Sequence, residues 1–253
     1  DLAELKYLQL YDTKMKDLTP MREFKNLVLL DVSTTPVDDL SPLKGLSRLT
    51  ILLLGYTKVN NISPLADLPK LTNLNLHGLH QLKDVTPLKD LTTLTDLDLG
   101  GIPAVSDLST LKGLKHLTNL RLWRTSVTDL SPLKDLKSLT SLDIGYTNVT
   151  DLSPLKELTS LASLDLYAKQ IKNISPLKRL TNLTHLNLNG TQVKDLSPLK
   201  ELKQLKTLEL AGTPVKDISP LKGLTSLTML NLYHTNVTDR SPLKELKNLR
   251  IFP

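Results

Sequence analysis

From Leu183 the chain reads LTHLNLNGTQVKDLSPLKELKQ, and the pattern restarts at Leu205 and again at Leu227, a period of 22 residues. Such a period excludes an ordinary globule. It describes a stack of equivalent coils, each too small to offset the conformational entropy of ordering itself and each stable only against its neighbours.

Leu183, Leu186 and Leu188 alternate as a short strand with one buried face would. Thr191 and Val193 follow where the chain turns, and Ser197-Pro198 reads as N-cap and first position of a short helical turn. Leu199 and Leu202 then point back toward the strand leucines. The predicted architecture is an α/β solenoid with a curved parallel sheet on the concave face and short 3-10 or α turns on the convex face.

Coils begin at Leu5, Leu27, Leu49, Leu71, Leu94, Leu117, Leu139, Leu161, Leu183, Leu205 and Leu227. The expectation is one array over residues 1–253, eleven repeats and a truncated twelfth strand from Leu249. Leu2 holds the place of Leu202 in its coil, so the chain is read as opening in mid-coil and as a piece of a longer protein. Arg240, where other coils carry Leu or Ile, marks a half-exposed last layer. The absence of Cys excludes disulfides and thiolate metal sites. No apolar run approaches the ~18 residues of a membrane span.

The coils starting at Leu71 and Leu94 are one residue longer than the rest, and the extra residue falls just after the strand, at Leu79 to Leu82 and Gly100 to Pro103. Both lack the Thr found at 13, 35, 57, 125, 147, 191, 213 and 235. The coil at Leu161 carries Lys169 in that place. The threonines read as hydroxyls satisfying turn carbonyls or amides. A second ladder, from Asp17 and Asp39 to Asp217 and Asp239, reads as Asx turns and not as a cation site. A third, Lys44, Lys89, Lys112, Lys134, Lys156, Lys178, Lys200, Lys222 and Lys244, follows the turn and should face water. It carries much of the net charge of +6 and is the candidate site for a polyanion, although Asp90, Asp135, Glu157, Glu201 and Glu245 sit beside it.

The unit L-x-x-L-x-L-x-x-T-x-V-x-D-L-S-P-L-K-x-L resembles the short leucine-rich repeats of bacterial internalin-like proteins over the whole chain. The resemblance implies a protein-recognition scaffold without catalysis. The compartment stays open, with the surface of a bacterium or secretion favoured over the cytoplasm, and Thr stands where internalins carry an Asn ladder.

All six tyrosines and the only tryptophan fall between or just after the strand leucines, on the face that recognition would use. The densest cluster is Arg121, Trp123 and Arg124 with Tyr146 and Tyr167, flanked by Gly100 and Gly145 and by Asp98, Asp143 and Asp165. The central concave columns hold Asp12, Asp31, Asp96, Asp98, Asp143, Asp165 and Glu209 against Arg121 and Arg124. That balance argues against nucleic acid on this face and for a protein or peptide of some basic character. His77 and His80 are weak metal candidates, and the sequence carries neither a phosphate loop nor a nucleophile elbow. The expectation is a monomeric, non-catalytic protein-binding array that needs no cofactor. The alternatives are a polyanion binder and a targeting domain of a larger enzyme.

Overall fold

The structure, a computed structural model, describes residues 4–253; Leu2 lies outside them. The chain divides into two compact units, residues 1–126 and 127–253. Unit 1 contains β1 (Tyr7–Gln9), β2 (Leu29–Asp31), β3 (Ile51–Leu53), β4 (Asn73–Asn75), β5 (Asp96–Asp98) and β6 (Asn119–Arg121). Unit 2 contains β7 (Ser141–Asp143), β8 (Ser163–Asp165), β9 (His185–Asn187), β10 (Thr207–Glu209), β11 (Met229–Asn231) and β12 (Arg250–Phe252). Within each unit every strand pairs in parallel with the next in chain order, in the register the period requires: Leu74 opposite Leu97, Leu97 opposite Leu120, Leu164 opposite Leu186. The central leucine of every strand from β2 to β11 is buried, and the residues on either side lie mostly at the surface.

Between strands the chain returns through 3-10 turns of three to five residues, such as Ser197–Leu199 and Ser175–Arg179. The sequence places Ser197 at the N-cap, and the structure corrects this. The capping position is Leu196, whose side chain cannot cap, and Ser197 is already inside the turn. The acceptor is Asp195, whose Oδ1 takes the Ser197 amide at 2.8 Å and Oδ2 the Ser197 hydroxyl at 2.8 Å. A carboxylate two residues upstream reaches an amide that a one-turn helix leaves unpaired. The same bond recurs from Asp17 and Thr19 to Asp239 and Ser241. The hydroxyl bond, foremost at Asp17 and Asp84, and the amide bond, foremost at Asp39, Asp151, Asp217 and Asp239, hold the pKa of these six below the usual carboxylate value.

The threonines close the other corner. Each donates its hydroxyl to the carbonyl three residues back, as Thr191 does to Leu188 at 2.7 Å and Thr57 to Leu54 at 2.8 Å. In the two long coils Leu79 and Ile102 take this place and are buried. At Leu161 the buried residue is Ala168, and Lys169 is exposed. The last layer is partly open, as Arg240 suggests: Arg240 is exposed and Val237 is half-buried, whereas Val193 is fully buried.

Candidate functional site

Just past every strand from β1 to β11 except β8, the chain turns through the left-handed region. Gly78, Gly101, Gly190 and Gly212 occupy that position at φ near 70°. In other coils the same position holds Asp12, Thr34, Tyr56, Arg124, Tyr146 and His234 at φ between 54° and 59°. A non-glycine side chain there costs on the order of 1 kcal/mol. It also projects from the rim of the sheet, and Tyr56 and Tyr146 are more than half exposed.

In unit 1 the side chains at the ends of β3 to β6 form one packed cluster. The Trp123 ring lies over the backbone of Gly100, where even a methyl group would collide with it and with His77. Because Gly100 leaves that space, His77 and Trp123 stack across the intervening coil, ring centres 5.0 Å apart and planes 20° apart. Tyr56 lies over Gly78 and meets His77 edge-on, with its hydroxyl 2.7 Å from His77 Nε2. The Arg124 guanidinium sits 5.0 Å from the centre of the Trp123 ring, a cation–π arrangement. Asp98 Oδ1 accepts the Gly100 amide at 2.8 Å and lies 3.7 Å from His77 Nδ1, while its Oδ2 is 4.0 Å from Arg121.

In unit 2 Tyr146 and Tyr167 stack with centres 4.4 Å apart, and the Tyr167 ring passes over Gly190. Asp143 accepts the Gly145 amide at 2.8 Å. Asp165 meets His185 Nε2 at 3.4 Å, and this bond, more than the neighbouring charge of Glu209, raises the His185 pKa against the opposing effect of burial. Glu209 accepts from Asn231 at 2.7 Å.

The structure thus gathers Asp98, Arg121, Trp123 and Arg124 in unit 1 and Asp143, Tyr146, Asp165 and Tyr167 in unit 2. Sequence reasoning reads His77 only as a weak metal candidate and does not single out Tyr56. The signal for both is the column they occupy relative to a glycine: Gly100 beside His77, Gly78 beside Tyr56. Column counting also overstates the acidity offered to a ligand, since Asp31, Asp98 and Asp143 each accept the backbone amide two residues on, from Ser33, Gly100 and Gly145. No group of three metal-ligating side chains converges among the described residues.

On the opposite side the ladder lysines are exposed, and carboxylates thread the ridge. Lys44 lies 3.6 Å from Asp67, Lys203 4.0 Å from Glu201, and Arg179 3.0 Å from Glu157.

Short parallel strands, a 3-10 return in every coil and leucine layers between them define a leucine-rich repeat protein. The family described as Leucine Rich repeats (2 copies) matches residues 115–157, 137–179, 159–201 and 181–223. The chain is 31% identical to an internalin (inlF) from Listeria monocytogenes across 99% of its length and 81% of that chain, at a TM-score of 0.82. It belongs to the bacterial internalin-like leucine-rich repeat proteins. The functional domain of InlJ from Listeria monocytogenes, which includes a cysteine ladder, shares the fold at 23% identity, 99% and 53% coverage and a TM-score of 0.78. So does the plant peptide hormone receptor RGFR1 in complex with RGF2, at 18% identity, 99% and 43% coverage and a TM-score of 0.77. No curated protein matches the chain.

Proposed function

We propose that this chain is a non-catalytic scaffold that binds a protein or peptide partner through the strand-end residues of its sheet. Arg121, Trp123 and Arg124 with Asp98 form the contact in unit 1. Tyr146 and Tyr167 with Asp143 and Asp165 form that in unit 2. The observation that carries this reading is the left-handed column. Glycine fills it without strain in four coils, yet Tyr56, Arg124 and Tyr146 occupy it elsewhere, and bulky residues held in strained backbone mark sites of function. Tyr, Trp and Arg are also the residues on which binding energy concentrates.

Membership among the internalin-like proteins supports the same reading and a location at the bacterial surface or beyond it. The fold's occurrence in a plant peptide hormone receptor solved with RGF2 supports a peptide as one form of partner. The carboxylates interspersed among the exposed lysines of the ridge favour a solvated surface over a polyanion site.

The test compares the parent chain with a Tyr56→Ala, Trp123→Ala, Tyr146→Ala variant whose circular dichroism matches it. Partners retained by the parent and lost by the variant support the proposal. Equal retention by both moves the site elsewhere.

A further inference from the structure

Building on the docking face proposed above, we infer that the strand-end pocket of unit 1 receives a proline of an extended partner peptide, with the carbonyl before that proline accepting the Trp123 indole N–H. The pocket measures about 300 Å³, and Tyr56, His77, Gly78, Gly101, Pro103 and Trp123 are among the residues that line it. That is the lower end of the range for ligand sites, in scale with one ring and its peptide unit.

Its floor is backbone. Gly78 and Gly101 lie in adjacent coils in contact with one another, both at positive φ, and a side chain on Gly78 would run into the Tyr56 ring. Its walls are ring surfaces braced before any ligand arrives: Tyr56 is bonded to His77, and His77 is stacked on Trp123. Walls fixed in advance spare the ordering cost of binding.

The remaining wall comes from the two places where the period breaks. His80 belongs to the lengthened segment of the Leu71 coil and Pro103 to that of the Leu94 coil, and both line this pocket. Leucine layers alone give no reason to lengthen two adjacent coils at the same position. A shared wall does.

Hydrogen bonding selects the ligand. No Asp or Glu is among the described residues lining the pocket, so a lysine or arginine of the partner finds no carboxylate in the lining. The Trp123 indole N–H lies over Gly100, donates to no protein acceptor among the described residues and is not shut off from the surface. The carbonyls around it are engaged: His77 O accepts the Tyr56 amide at 2.8 Å, Gly100 O the Gly78 amide at 2.9 Å and Trp123 O the Gly101 amide at 2.8 Å. An ordinary peptide unit would offer its carbonyl to the indole but would also bury an N–H against carbonyls already bonded. The amide before a proline brings the acceptor alone. A proline-rich segment is also extended beforehand, with no internal hydrogen bonds to break, and in that form such segments dock in aromatic-lined grooves.

Trp123 is the only tryptophan, so its emission and its indole N–H resonance report this site alone. The parent chain is titrated with blocked peptides Ser-Pro-Pro-Ser, Ser-Ala-Ala-Ser and Ser-Phe-Ala-Ser. The expected result is a saturable change in emission with Ser-Pro-Pro-Ser, at least ~10-fold tighter than with the other two, a difference of about 1.4 kcal/mol. The indole N–H resonance should move downfield in the same titration. Trp123→Phe, which keeps a ring and removes the donor, should weaken Ser-Pro-Pro-Ser by ~5-fold or more in calorimetric titration. Gly100→Ala, which moves the rings without removing any of them, should weaken it as well.

Absence of saturation with Ser-Pro-Pro-Ser, equal binding of either other peptide, or an indole resonance that stays in place overturns the inference. If a protein partner still depends on Trp123 in that event, the docking face stands and only the ligand class falls. If Ser-Pro-Pro-Ser binds as expected but Trp123→Ala leaves partner affinity unchanged, the pocket stands and the docking reading falls.

Discussion

The two units carry the same leucine layers and the same turns, yet their strand-end faces are built differently. Unit 1 has the two lengthened coils, an aromatic stack and two arginines; the coils that start in unit 2 all keep the 22-residue step and present a tyrosine pair beside an Asp165–His185 pair and Glu209. One rule serves both. In each unit a ring lies over a glycine of an adjacent coil: Tyr56 over Gly78 and Trp123 over Gly100 in unit 1, Tyr167 over Gly190 in unit 2. The faces therefore diverge through where glycines and extra residues fall, while the core beneath stays constant.

If the core is equivalent, Leu97→Ala and Leu164→Ala should each cost about 2–5 kcal/mol, and denaturant titration should show similar losses. A loss confined to one variant would break the comparison at its base. If the faces differ as described, Trp123→Ala should cost a captured partner ~2 kcal/mol or more, with Tyr146→Ala costing less. Calorimetric titration ranks them, and the reverse order would shift the principal contact to unit 2.

Thr110 stands in the 3-10 turn of a lengthened coil where Pro132 and Pro154 stand in regular ones, and its hydroxyl is buried without a hydrogen bond. Thr110→Pro should raise stability by about 0.5–1 kcal/mol, by removing that group and by restricting the unfolded chain. A fall in melting temperature would show that the lengthened coil needs the threonine.

The smallest effect belongs to His185. Its pKa is raised in the folded state by Asp165, so its contribution is full below the unfolded value of ~6.5 and is lost as pH rises through the folded one. His185 is partly exposed, so solvent screening leaves only a few tenths of a kcal/mol. Relative to His185→Gln, the parent should be slightly more stable at pH 6 than at pH 8. A constant difference would mean that the pair contributes nothing. The turn aspartates act oppositely: their lowered pKa values make stability fall below about pH 4, and in both units alike.

The coils were legible because strand alternation, Asx turns and the threonine hydroxyls are local, decided within two or three residues. Ser197 was misassigned because N-cap rules describe α-helices, and a single 3-10 turn takes its acceptor from Asp195 instead. The site was legible as a column, which is how Trp123, Arg124 and Tyr146 stand out. The partnership of Trp123 with His77 was not, because it spans two coils and depends on the empty place at Gly100. Local pattern says which side chains face outward, whereas their lean is set by the vacancy next door.

The threonine and aspartate bonds each begin and end inside one coil, and the rungs between coils are interchangeable. The Lys206 amide bonds to Thr184 O as the Thr184 amide bonds to Ala162 O. Excise residues 183–204, and the Lys206 amide meets the Ala162 carbonyl in the register the period requires, while the Ala211 amide gives up Asn189 Oδ1. A gene encoding such a chain can lose or duplicate a coil by unequal recombination without leaving a scar in the fold. Array length is then a heritable variable, set by what the face must span.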